Sequence, residues 1–100
     1  MNIRIEEING NVVATIEGNL DTAAAREAET VMNPLNNVVD KDIIFDCTDL
    51  TYISSAGLRI FLEILQNTEE RGGHVYVKGL NDNVRSIFAL TGFDNIFEFL

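Results

Sequence analysis

Ile3, Ile5 and Ile8 alternate with polar neighbours over the first eight positions, which predicts a β-strand. Asn9-Gly10 follows, a dipeptide suited to a two-residue hairpin turn, so Val12 to Ile16 is predicted as the partner strand, ending at Gly18-Asn19. The period then changes. Asp21 or Thr22 can cap a helix, and behind them Ala24, Ala28, Val31, Leu35 and Val38 fall at 4-3-4-3 spacing. Pro34 interrupts that helix, because its ring and missing N–H suit a first turn better than an interior. A kink or restart is expected there, with the apolar face carried through.

Ile43-Ile44-Phe45 is apolar without alternation, as expected of a central strand covered on both sides and parallel to a neighbour. Asp46 to Ile53 leads out of it. Ser54 or Ser55 can cap the next helix, from about Ala56 to Glu70, with Leu58, Phe61, Leu62 and Leu65 on one face and Arg71-Gly72-Gly73 as its stop. His74 to Lys78 is a further strand. A last helix, capped by Asn81 or Asp82, carries Val84, Ile87, Phe88 and Leu90 and ends at Gly92, before an edge strand near Ile96-Phe97-Glu98. The order β-β-α-β-α-β-α-β predicts an α/β fold: a mixed sheet of four to five strands, with helices packed on one face and one domain over residues 1–100.

Composition narrows the class. Seven Lys and Arg against sixteen Asp and Glu give a net charge of −9, which argues against nucleic acid and anionic membrane surfaces. No apolar run approaches the roughly 18 residues of a membrane span, and the first residues do not form a signal peptide. Cys47 is the only cysteine and His74 the only histidine, so neither a disulfide nor an ordinary zinc site is expected. A lone thiol fits the reducing cytoplasm. No cofactor or metal is expected.

The segment Ser54-Ser55-Ala56-Gly57 is the most informative for chemistry. It lies where a loop becomes a helix N-terminus, with free N–H groups and the positive end of the helix dipole. A phosphate on an exposed hydroxyl there would be stabilised locally. Either serine can equally be a plain N-cap. Ser55, His74 and an aspartate could be drawn as a hydrolase triad, but the Gly-x-Ser-x-Gly elbow is absent and catalysis is not expected. Cys47 has no neighbouring cation in sequence to lower its pKa. Asp21 and Asp46 both fall at strand exits, where sites gather in such sheets, and each can instead serve as a cap or turn residue. Ile60 falls near 200° from Leu58 on a helical wheel, among Arg59, Glu63 and Asn67. An exposed docking residue is expected there.

Four segments in order carry a family resemblance. Ile43 to Arg59, running Ile-Ile-Phe-Asp-Cys-Thr-Asp-Leu-Thr-Tyr-Ile-Ser-Ser-Ala-Gly-Leu-Arg, resembles the signature of STAS domains, and within them the bacterial anti-sigma-factor antagonists. Gly18-Asn19-Leu20-Asp21, Gly72-Gly73 and Leu90-Thr91-Gly92-Phe93 match the rest of the family's order. The resemblance covers essentially the whole chain. It implies binding to an anti-sigma-factor serine kinase, which frees a sigma factor. Phosphorylation of one serine at a helix start reverses the binding, and a phosphoserine phosphatase restores it. Aligned on Gly57, the acceptor is Ser55, with Asp21, Asp46 and Gly57 near it. Arg59, Ile60 and Glu63 would form the partner-binding surface. Ser54 stands where the family usually has aspartate, and is the competing acceptor. The resemblance leaves a second role open: a STAS subunit of a lipid-transport or stress-signalling complex, with no phosphorylation.

Overall fold

A computed structural model describes residues 1–100. Its elements run β1 (Asn2–Ile8), β2 (Asn11–Leu20), α1 (Thr22–Met32), a 3-10 turn (Asn33–Asn37), β3 (Ile43–Asp46), β4 (Leu50–Ile53), α2 (Ser55–Glu70), β5 (Val75–Lys78), α3 (Asp82–Thr91), a short 3-10 turn (Phe93–Asn95) and β6 (Glu98–Phe99). The sheet is ordered β1-β2-β3-β5-β6, and β4 joins it on β2. Only β1 runs antiparallel to its neighbour. The five-strand path agrees with the four to five expected, and β4 makes a sixth.

Alternation along the strands sorts the sheet into two faces. Ala14, Ile16, Ile43, Phe45, Val75 and Val77 are buried together with Leu58, Phe61, Leu65, Val84 and Phe88 of the helices. Phe61 stacks on Phe45 with ring centroids 4.2 Å apart and meets Phe88 and Phe97 at 6.5 and 6.4 Å. The opposite face carries Arg4, Thr15, Asp46 and Lys78 in register across β1, β2, β3 and β5. Helices therefore cover one face, as the pattern predicts, and β3 is central and parallel to both neighbours.

Several boundaries move. β2 does not end at Gly18-Asn19. It shifts register there and continues to Leu20, because its first half pairs with β3 and its second half with β4. The apolar stripe of α1 is Ala25, Ala28, Met32 and Leu35, rotated from the expected one, and Val31 is exposed. The restart at Pro34 is the 3-10 turn, with Leu35 carrying the stripe onward. On α3, Leu90 is 88% exposed, because the inward side of the helix is made by Val84 and Phe88, with Ile87 half-buried beside them. The last strand sits at Glu98–Phe99, after the short turn that seats Phe97 in the core.

Candidate functional site

β2 and β4 end side by side, with Leu20 opposite Ile53, and each runs directly into a helix. Asp21 caps α1, its Oδ1 accepting the Ala24 N–H at 2.8 Å. Ser54 caps α2, its Oγ accepting the Gly57 N–H at 3.2 Å. The Ser54 N–H donates to the Leu20 carbonyl at 2.9 Å, which ties the second cap to the end of β2. Two helix N-termini, with two sets of free N–H groups and two positive dipole ends, thus open next to each other.

Gly57 makes this approach possible. A Cβ at that position would lie 2.9 Å from both Ile53 Cγ1 and Leu20 Cγ, closer than carbon atoms can pack. Its hydrogen atom lets α2 settle on the ends of both strands.

The two serines are not equivalent. Ser54 is 6% exposed and its hydroxyl is held in the cap. Ser55, the first residue of α2, is exposed, and no hydrogen bond within the chain engages its hydroxyl. The partner-surface residues divide in the same way. Arg59 and Glu63 are exposed. Ile60, expected to be exposed, is 8% exposed. It lies in a groove of about 370 Å³ between α1 and α2, with Ala25, Arg26 and Glu29 on the other wall. The helical wheel measured its angle from the sheet-facing stripe. It did not foresee that α1 packs on the flank of α2 and covers that side. The groove also has Thr22 at its lip. Sequence reasoning missed these α1 residues, although Thr22, Arg26 and Glu29 recur at 4-3 spacing and mark a polar edge beside the apolar stripe.

Asp46, expected near the acceptor, lies elsewhere. It stands in register with Thr15, six residues before Asp21 on β2, which is roughly 15–20 Å of strand. Its Oδ1 accepts from the Thr48 N–H at 3.1 Å and the Thr48 hydroxyl at 2.7 Å, and its Oδ2 lies 3.9 Å from Lys78 Nζ. Burial raises its pKa, but the Thr48 hydrogen bonds, Lys78 and Arg4 together outweigh this and hold the carboxyl below its usual value. The exits of β3 and β4 thus point the same way but lie at different levels along β2, opposite Thr15 and Leu20, separated by the Cys47–Asp49 turn. Cys47 is fully buried, and burial pushes its thiol up to about 12, so it stays protonated. His74 precedes β5, at the opposite end of the sheet from Ser55, and its Nδ1 lies 3.2 Å from Glu98 Oε2. A Ser55–His74 pair is not assembled.

A mixed sheet covered on one face, with two helix starts joined at neighbouring strand exits, defines a small α/β domain. The STAS domain family profile matches residues 2–100, and the chain belongs to that family. Among curated relatives, it is 29% identical over 97 residues to the protein described as "Putative anti-sigma factor antagonist BtrV" of Bordetella bronchiseptica, covering 97% of this chain and 84% of that one. It is 26% identical over 98 residues to the anti-sigma-B factor antagonist of Staphylococcus aureus, covering 96% of this chain and 91% of that one. Among solved structures, the anti-sigma factor antagonist SpoIIAA in its unphosphorylated form superposes with a TM-score of 0.80 at 19% identity, over 99% of this chain and 88% of that one.

Proposed function

We propose that this chain is an anti-sigma-factor antagonist: it binds an anti-sigma-factor serine kinase, so that a sigma factor is freed, and phosphorylation of Ser55 ends the binding. The observation that carries this reading is the free, exposed hydroxyl of Ser55 at the start of α2, beside a Ser54 whose hydroxyl is already committed to the cap. The names of the two curated relatives support the role. Ser55 can accept a phosphate without giving up a bond that the fold uses, whereas Ser54 cannot. The docking surface of this reading is the rim of the groove beside it, with Arg59 and Glu63 reaching the partner and Ile60 holding the α1–α2 seam beneath them.

The charge change supplies the switch. Phosphate adds up to about two negative charges. Within the domain, the helix dipole and the free N–H groups of the first turn offset part of that charge. A partner surface shaped for a neutral hydroxyl must instead desolvate it. Binding therefore falls while the fold persists, until a phosphatase removes the group. Incubation with the cognate kinase and ATP, followed by intact-mass and fragment analysis, tests the assignment. A single phosphate on Ser55 is expected, absent from Ser55→Ala. Ser55→Ala should bind the kinase yet resist release by ATP, and Ser55→Asp should bind weakly. Phosphate on Ser54 would move the site by one residue. No phosphate on either would leave a STAS binding subunit that works without this modification.

A further inference from the structure

β1 is an end strand: it pairs with β2 alone, so its outer edge presents seven residues of backbone with no partner in the chain. Edges of this length invite pairing with another chain. The hairpin turn fixes which groups point outward. Asn9 and Gly10 both have positive φ, 52° and 81°, as a two-residue type I′ turn requires. The closing pair Ile8 and Asn11 then exchanges hydrogen bonds, and alternation turns the N–H and C=O of Arg4 and Glu6 toward β2. The N–H and C=O of Ile3, Ile5 and Glu7 face outward.

We propose that the outer edge of β1 binds a second copy of this chain, antiparallel and centred on Ile5, to make one continuous sheet across a twofold axis. In that register Ile5 of each copy faces Ile5 of the other, and Ile3 faces Glu7. Those are the residues whose backbone groups point outward, and they supply about six main-chain hydrogen bonds. Arg4 of each copy then faces Glu6 of the other on the open face, as two opposite-charge pairs at the closer, non-hydrogen-bonded spacing. The side chain of Ile5, 39% exposed, gains an apolar partner.

The charges select the register. A slip of two positions one way sets Arg4 against Arg4, and the other way sets Glu6 against Glu6, so both place like charges opposite each other. Slips that set an outward-facing residue against an inward-facing one form no ladder. In the single chain Arg4 lies 3.6 Å from Glu6 and 3.5 Å from Glu17, exposed contacts that can be exchanged at little cost. An edge pair is smaller than a standard interface, so the dimer is weak and forms over about 10–1,000 μM. The proposal is independent of Ser55.

Sedimentation of the full chain across that range tests it. The mass is expected to rise from 11.1 kDa toward twice that value with concentration. Arg4→Glu alone and Glu6→Arg alone should each raise the dissociation constant at least about tenfold, and the double swap should return it to within about threefold of the original. Under mild oxidation Ile5→Cys should cross-link to dimer, since paired Cα atoms about 5.5 Å apart lie within disulfide range. Ile8→Cys, which faces Asn2, should not. A monomer at every concentration, a dimer insensitive to the charge swaps, or equal cross-linking at both cysteines would overturn the proposal.

Discussion

The two faces of the sheet use the same two central strands, β3 and β5, to opposite ends. Ile43, Phe45, Val75 and Val77 point into a dry layer in which Phe61 contacts three other rings. Ile44, Asp46, Tyr76 and Lys78, their immediate neighbours in sequence, point to the uncovered side, where contacts are ionic and half-exposed. The comparison teaches where stability and responsiveness reside. The covered face holds the fold, the open face tolerates change, and the candidate switch belongs to neither. It sits at the strand exits, where the covered layer runs out and helix starts meet solvent.

The largest effect that can test this division is at the centre of the covered layer. Phe61→Ala should cost about 3–5 kcal/mol in denaturant unfolding, through lost burial and the cavity left under Phe45 and Phe88. An effect near 1 kcal/mol would mean that the layer is looser than it looks. Ile60→Ala tests whether the α1–α2 seam belongs with that layer: about 2–4 kcal/mol is expected, against almost nothing for a free surface residue. On the open face Asp46→Ala should cost about 1 kcal/mol at neutral pH, mostly the lost Thr48 hydrogen bonds. The sign of its pH dependence follows from the lowered pKa. The folded state holds Asp46 ionised more strongly than the unfolded chain, so its contribution is present above the usual carboxylate range and is lost as pH falls through the folded value. Stability measured from about pH 5 to about pH 2 should thus fall less steeply in Asp46→Ala than in the parent. Lys78→Ala should be the smallest effect, below about 0.5 kcal/mol, because its 3.9 Å contact with Asp46 is half-exposed.

Much of this was legible in the sequence wherever period and chemistry agreed. Asn9-Gly10 marked the hairpin, Ile43-Ile44-Phe45 the central strand, and Ser54-Ser55-Ala56-Gly57 a capped helix start. Apart from the 4-3 spacing of Thr22, Arg26 and Glu29, the features that the sequence hides have no local signature. β4 presents Leu50 and Ile53 three apart around polar Thr51 and Tyr52, a spacing that does not alternate, and it is a strand only because β2 bends at Gly18-Asn19 to receive it. Ile60 looked exposed because a helical wheel knows one neighbour, the sheet, and α2 has two. Asp46 shares a strand-exit position with the site in sequence, but β3 stops well short of β4 along β2, a difference of level that only the strand pairing shows. The division of labour between Ser54 and Ser55 needed hydrogen bonds to be seen.

The missing side chain at position 57 has a genetic consequence. Every single-base change in a glycine codon that alters the amino acid, and does not stop translation, brings in a Cβ. At this position the Cβ would meet Leu20 and Ile53 at 2.9 Å. Under random mutagenesis codon 57 should accumulate silent changes only, while codon 55, two positions away and facing solvent, should drift freely in any screen that reads folding alone.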